Sequence, residues 1–195
     1  MRILFLTYGP PRVVPSSRVR VHQYLPHLER IGIEALCISY VSETEYSTRL
    51  WKHGQALSPG IRNLHRMQKL ARYMKAIYLA PSFDVVFVQK VLSLPPLLRL
   101  LRQRSKRLVF DIDDALHLAN PGHQNPSAPG EGRLVEMLKA ADAVTVSTPA
   151  LAEYVSAHNP QVTTIIGPVD VDRYQPSGSH RTDIVIGWVG TPSNT

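Results

Sequence analysis

The sequence predicts a doubly wound α/β domain on a mainly parallel sheet, and three observations lead there. Short apolar runs such as Leu108-Val-Phe110 are too uniformly hydrophobic for a strand with one wet face and suit strands buried on both sides. Segments with apolar residues at helical spacing separate those runs. The first strand, helix and second strand fit within about forty residues, the span of a right-handed βαβ unit.

Taken in order, Arg2 to Thr7 is the first strand, and a proline-rich loop follows from Tyr8 to Pro15. Ser16 or Ser17 is the expected helix cap. Val21, Tyr24, Leu25, Leu28 and Ile31 then recur at helical spacing, Pro26 kinks or divides the helix, and Gly32 stops it. Ile33 to Tyr40 is the second strand and 41–60 reads as loop. A helix runs from Ile61 to Leu79 with Leu64, Met67, Leu70, Ala71, Met74, Ile77 and Tyr78 on its apolar face, which either packs on the sheet or inserts partly into an anionic membrane surface. Asp84 to Gln89 is strand, Pro95 to Arg104 helix and Leu108 to Ile112 strand. Ala119 to Gly132, with three Pro, three Gly and two Asn, is a loop long enough to be functional. Arg133 to Ala141 is helix, Ala143 to Ser147 strand, Pro149 to His158 helix with Pro in its first turn, and Val162 to Ile166 strand. This first domain spans 1–166, residues 167–183 read as a linker, and 184–195 as the start of a second domain opened by the strand Ile184 to Val189.

Composition narrows the class. The chain is 44% hydrophobic and 19% charged, as ordinary soluble globular proteins are, and no apolar run approaches the ~18 residues of a membrane span. The lone Cys37 reads as a buried strand residue in a reducing compartment, so the expected location is cytoplasmic. The net charge of +7 is unevenly spread: residues 49–107 hold thirteen Lys and Arg against one acid, Asp84, whereas the remainder is net acidic. Such a face implies an anionic partner. The segments 61–79 and 99–107 fit peripheral contact with the inner face of an anionic membrane. Charge alone does not indicate nucleic acid, and no helix-turn-helix, zinc or RNP-like motif accompanies it.

The strongest site signal is the carboxyl end of the fourth strand, where Asp111, Asp113 and Asp114 occupy three of four positions. Ligands bind at that end of an open α/β sheet, and Asp113 and Asp114 are the favoured pair, meeting acceptor hydroxyls or developing positive charge. Acid pairs also suit Mg²⁺. His117 is positioned for acid/base work. Ser16, Ser17, Arg18 and Arg20 form a candidate anion site where a helix begins. His22, His27, His65, His123 and His158 lack metal-ligand spacing with Cys or acids and read as structural.

Several motifs, in their order, resemble the N-terminal half of a GT-B-fold glycosyltransferase, similar to glycosyltransferase family four. They are Pro15-Ser-Ser-Arg-Val-Arg20, Phe83-Asp-Val-Val-Phe-Val-Gln-Lys90, Val109-Phe-Asp-Ile-Asp-Asp114, Ala141-Asp-Ala-Val-Thr-Val-Ser147, Pro168-Val-Asp-Val-Asp-Arg-Tyr174 and Ile184-Val-Ile-Gly-Trp-Val-Gly-Thr-Pro-Ser193. Pro10, Pro11 and Ser16–Ser17 stand where many members have a glycine pair, Asp113 where a histidine would align, and Gly-Pro-Val-Asp where Asn-Gly-Val-Asp is usual. The resemblance implies a Rossmann-like acceptor domain. It implies retaining transfer of a sugar from a nucleotide-sugar, a co-substrate rather than a cofactor, to an acceptor hydroxyl. No metal is implied for the chemistry. Asp113, Asp114 and His117 are then catalytic, and Ser16, Ser17, Arg18, Arg20, Lys90 and Gly190 contact substrate. The family's paired glutamates and phosphate-gripping bases belong to a second domain, so this half is expected to be inactive alone. Two alternatives stand beside it. One is a non-catalytic α/β module that docks on an anionic membrane or partner. The other is a haloacid-dehalogenase-like phosphotransferase, whose first motif Val109-Phe-Asp-Ile-Asp-Asp-Ala115 resembles and whose nucleophile would be Asp111.

Overall fold

The computed structural model describes residues 1–51, 58–116, 131–167, 169, 171, 174, 175, 186 and 187. It is a Rossmann-like doubly wound α/β structure. The strands β1 (Arg2–Thr7), β2 (Glu34–Ser39), β3 (Val85–Gln89), β4 (Leu108–Ile112), β5 (Ala143–Val146) and β6 (Val162–Thr164) form one sheet in the order β2-β1-β3-β4-β5-β6. Every neighbouring pair is parallel, with Leu4 opposite Leu36 and Val86, and Phe110 opposite Val88 and Val144.

The helices are α1 (Pro15–Arg20), α2 (Leu25–Arg30), α3 (Glu43–Trp51), α4 (Pro59–Leu79), α5 (Pro95–Arg104), α6 (Glu131–Ala140) and α7 (Pro149–Ser156). Alternate strand residues point to opposite sheet faces. On one face Leu4, Leu6, Val86, Val88, Leu108, Phe110, Ile112, Val144 and Val146 form a core with buried residues of α4 to α7, among them Tyr73, Leu101, Met137 and Val155. On the other, Ile3, Phe5 and Phe87 meet Val21, Tyr24 and Leu28 of the α1–α2 region around an apolar cavity of about 290 Å³.

Three expectations are refined or corrected. The first helix is divided, as Pro26 led one to expect, but the break spans several residues: α1 ends at Arg20, a 3-10 turn covers His22–Tyr24, and Pro26 lies in the first turn of α2. A proline ring clashes with the carbonyl four residues back, here that of His22, so the α-helical ladder cannot cross this point. Gly32, at φ 75°, ends α2 as expected. Second, residues 43–51 are helix rather than loop. Ser42 Oγ accepts from Glu45 N at 3.1 Å, and Glu43 and Glu45 lie in the first turn, where the helix dipole favours acids.

Third, of the two readings of α4, packing of its apolar face on the sheet is the one corrected, since most of that face turns outward. Its buried residues are Tyr73, Ala76 and Ile77, while Leu64, Met67, Leu70, Met74 and Tyr78 are exposed. Polar anchors hold this orientation. Lys69 pairs with the buried Glu45 at 3.1 Å, and Arg72 donates to the Tyr40 carbonyl at 3.3 Å.

The long loop 119–132 lies almost wholly outside the described residues, and so do most of the linker 167–183 and the strand expected at 184–189.

Candidate functional site

The strand order reverses between β1 and β3, because β1 connects to β2 on one side while β3 and its successors lie on the other. Connections that leave a sheet in opposite directions open a crevice at the carboxyl ends of those strands. Here the crevice is a cleft of about 520 Å³ lined by residues that include Tyr8, Ser16, Val19, Arg20, Tyr46, Lys90, Asp113, Asp114, Ser147 and Gly167.

Beneath its lining residues Tyr8 and Ser16 lies Gln89, the last residue of β3 and fully buried. A buried amide must satisfy both its donor and its acceptor. The side-chain oxygen of Gln89 accepts from Tyr8 N at 3.0 Å and from Ser17 Oγ at 2.9 Å, while Nε2 donates to Ser16 Oγ at 3.3 Å. Ser17 Oγ in turn accepts from Gly9 N at 3.3 Å. One side chain thus fixes the loop after β1 to the start of α1. Gly9 is required there, since a Cβ would fall 2.5 Å from Val14 Cγ2. Val14 with Pro15 behind it starts α1, so neither serine serves as the expected cap. Ser16 reaches the cleft, and Ser17 is buried beneath it.

Lys90 follows Gln89 in a left-handed conformation, φ 58°. For a residue with a Cβ this costs on the order of 1 kcal/mol, and such strain collects at functional sites. The turn places Nζ 3.0 Å from Asp113 Oδ1 and also against Asp114. Asp113 is held from behind, where Ser147 Oγ donates to its carbonyl at 2.9 Å. Burial pushes the Asp113 carboxyl above its ordinary value; Lys90 opposes this, Asp114 reinforces it, and one ammonium does not neutralise two carboxylates. Burial also disfavours the Lys90 charge, but the two aspartates outweigh it and raise its pKa, so the ammonium persists. Among the described residues the acid pair's counter-charge is therefore this lysine. Asp114 remains largely exposed and open to a ligand.

Asp111 and Arg20 occupy a different position from the one the sequence implied. Asp111 is 1% exposed, and its carboxylate takes Arg20 Nε at 3.1 Å, the Arg20 terminal nitrogen and Thr145 Oγ1 at 2.6 Å. The other terminal nitrogen of Arg20 donates to the Ile165 carbonyl. Burial disfavours the guanidinium charge, and Asp111 more than compensates. Arg20 is thus spent inside the protein and is not free to grip an anion. Arg18 instead lies on the surface, donating to Pro11 O at 3.0 Å. The same geometry removes the phosphotransferase alternative, because its nucleophile would be Asp111, a carboxylate already saturated and shut away from substrate.

His117 and Gly190 lie outside the described residues. Sequence reasoning overlooked Gln89 as an organiser, and with it Tyr8, Tyr46 and Ser147. An amide closing the apolar run Val85-Val-Phe-Val-Gln89 was the available signal. Cys37 is half-buried with its thiol pushed up to about 11 by burial, which leaves it a poor nucleophile.

The crystal structure of Anabaena Alr3699/HepE in complex with UDP-glucose superposes with a TM-score of 0.53 at 18% identity, over 91% of this chain and 47% of that one. This chain has HepE's fold over about half of HepE's length. HepE in complex with UDP and glucose gives a TM-score of 0.52 at 16% identity, with the same 91% and 47% coverage. No protein-family profile and no curated protein matches the chain, so the likeness to HepE is carried by the backbone.

Proposed function

We propose that this chain is the acceptor-side half of a retaining GT-B glycosyltransferase, which transfers a sugar from a nucleotide-sugar to an acceptor hydroxyl without a cofactor. The observation that carries the reading is the gathering of Ser16, Lys90, Asp113 and Asp114, from three separate strand ends, around one cleft. The fold supports it, being shared with a protein solved with UDP-glucose bound.

In this reading Asp113 and Asp114 accept hydrogen bonds from the acceptor's hydroxyls. Lys90 holds the two carboxylates in place, and its charge screens their mutual repulsion. Ser16 offers a neutral donor and acceptor on the opposite wall. The segment 167–183 is then a linker, 184–195 begins the domain that holds the nucleotide-sugar, His117 acts in catalysis and Gly190 contacts substrate.

The test is turnover by the full-length protein that contains this chain, offered a panel of nucleotide-sugars and sugar or lipid-linked acceptors. Transfer is expected, with the anomeric configuration retained. Asp113→Asn should lower kcat roughly a hundredfold or more. Absence of transfer from every nucleotide-sugar would remove the proposal.

A further inference from the structure

The outward stripe of α4 is not accounted for by sugar transfer. At about 100° per residue, Leu64, Met67, Ala71, Met74 and Tyr78 fall within an arc of about 80°, along a helix about 31 Å long. Met67 is 69% exposed and Tyr78 75%. The stripe cannot turn inward, because Tyr73, Ala76 and Ile77 are buried on the opposite side and Lys69 and Arg72 are tied to Glu45 and Tyr40. A continuous apolar strip held in solvent marks an interaction surface.

We infer that α4 docks this protein on an anionic lipid bilayer, lying in the interface with the stripe turned toward the acyl chains. Charge selects this occupant. Residues 59–79 contain no Asp or Glu, exposed Lys75 borders the stripe on the helical wheel, and exposed Arg62 and Arg66 lie further round the helix. The adjoining helix α5 likewise has no acid and exposes Arg99 and Arg104. Elsewhere in the basic run, Arg102 and Arg107 pair with Asp142 and Lys106 with Asp84. A second copy is a poor occupant. A two-fold contact through α4 sets like charges against each other with no carboxylate between them. Among the described residues no helix is long and apolar enough to cross a membrane, so α4 rests on the surface. Apolar burial with phosphate attraction to flanking bases is the chemistry of such helices.

The experiment is co-sedimentation of the chain with phosphatidylcholine vesicles, with and without phosphatidylglycerol. Binding is expected only with the anionic lipid, and high salt should weaken it about tenfold. Met67→Ser combined with Met74→Ser, and separately Arg66→Glu combined with Lys75→Glu, should each weaken binding about tenfold or more. All four positions are exposed, so unchanged circular dichroism and Tm will show that the fold is intact. Equal binding to neutral vesicles, no binding to either, or indifference to both double variants overturns the inference. So does a solution dimer that the methionine substitutions dissolve, which would assign the stripe to a second copy. Because the readout is lipid binding, it stands or falls independently of sugar transfer.

Discussion

Asp113 is a residue whose ionised form the folded protein disfavours. Its folded-state pKa lies above the ordinary value of 3.8, chiefly through burial. As the pH rises past that value the unfolded chain releases the proton first, so the folded state is the one holding it. Stability therefore falls across this window and stays reduced above it. Asp113→Asn abolishes the titration. Urea denaturation should show the variant at least as stable as the parent at neutral pH, with a flatter stability profile in the acid range. A cleft residue that weakens the fold it sits in is the pattern of a site shaped for something other than stability. A drop in stability at neutral pH on Asp113→Asn would mean that the carboxylate holds the structure instead. Asp113 and Asp114 stood out in the sequence because three acids in four positions have no local structural reason. Lys90 gave no such signal beyond the motif around it, since its left-handed turn depends on the path the chain takes above β4.

Elements were legible where a single pattern governed them. Leu108–Ile112 and Pro95–Arg104 are legible with their boundaries because the apolar run Leu108-Val-Phe110 marks the strand, and because prolines open the helix while a basic run follows it. α3 was missed since only the Ser42-x-x-Glu45 cap announces it, inside a polar stretch. α4 was found but turned around. Periodicity locates an apolar stripe without saying which side the sheet lies on, and here the stems of Lys69 and Arg72 join Tyr73 on the inner side. The division between α1 and α2 matters for the same scale of structure, because it aims Arg20 at β4. Removing Arg20 alone leaves a buried carboxylate unpaired, so Arg20→Met should cost about 3–5 kcal/mol in chemical denaturation. Adding Asp111→Leu to that variant should recover most of the loss, since a buried ion pair is often replaceable by apolar residues. If the double variant is no more stable than the single one, the pair does not act as the account requires.

For the molecule as a whole, the two faces of the sheet are unequal. Four helices cover the face that carries Phe110, whereas Phe87 on the other face borders a cavity and remains half-buried. Phe110→Ala should therefore cost about 3–5 kcal/mol, and Phe87→Ala clearly less, as read from urea midpoints. Equal losses would contradict the asymmetry. The overall winding was legible from the sequence because alternating strands and helices admit few connections. The cleft's contents were less so, since Gln89, Ser17 and Gly9 meet only through the fold.

The grip of Arg20 on the Ile165 carbonyl has a mechanical consequence. It tethers the point where the backbone leaves the last strand to the same guanidinium that clamps β4, and the cleft wall ends two residues later at Gly167. On the proposed reading, a domain carried by the chain beyond Gly167 moves without disturbing the strand ends that Arg20 holds beneath the cleft.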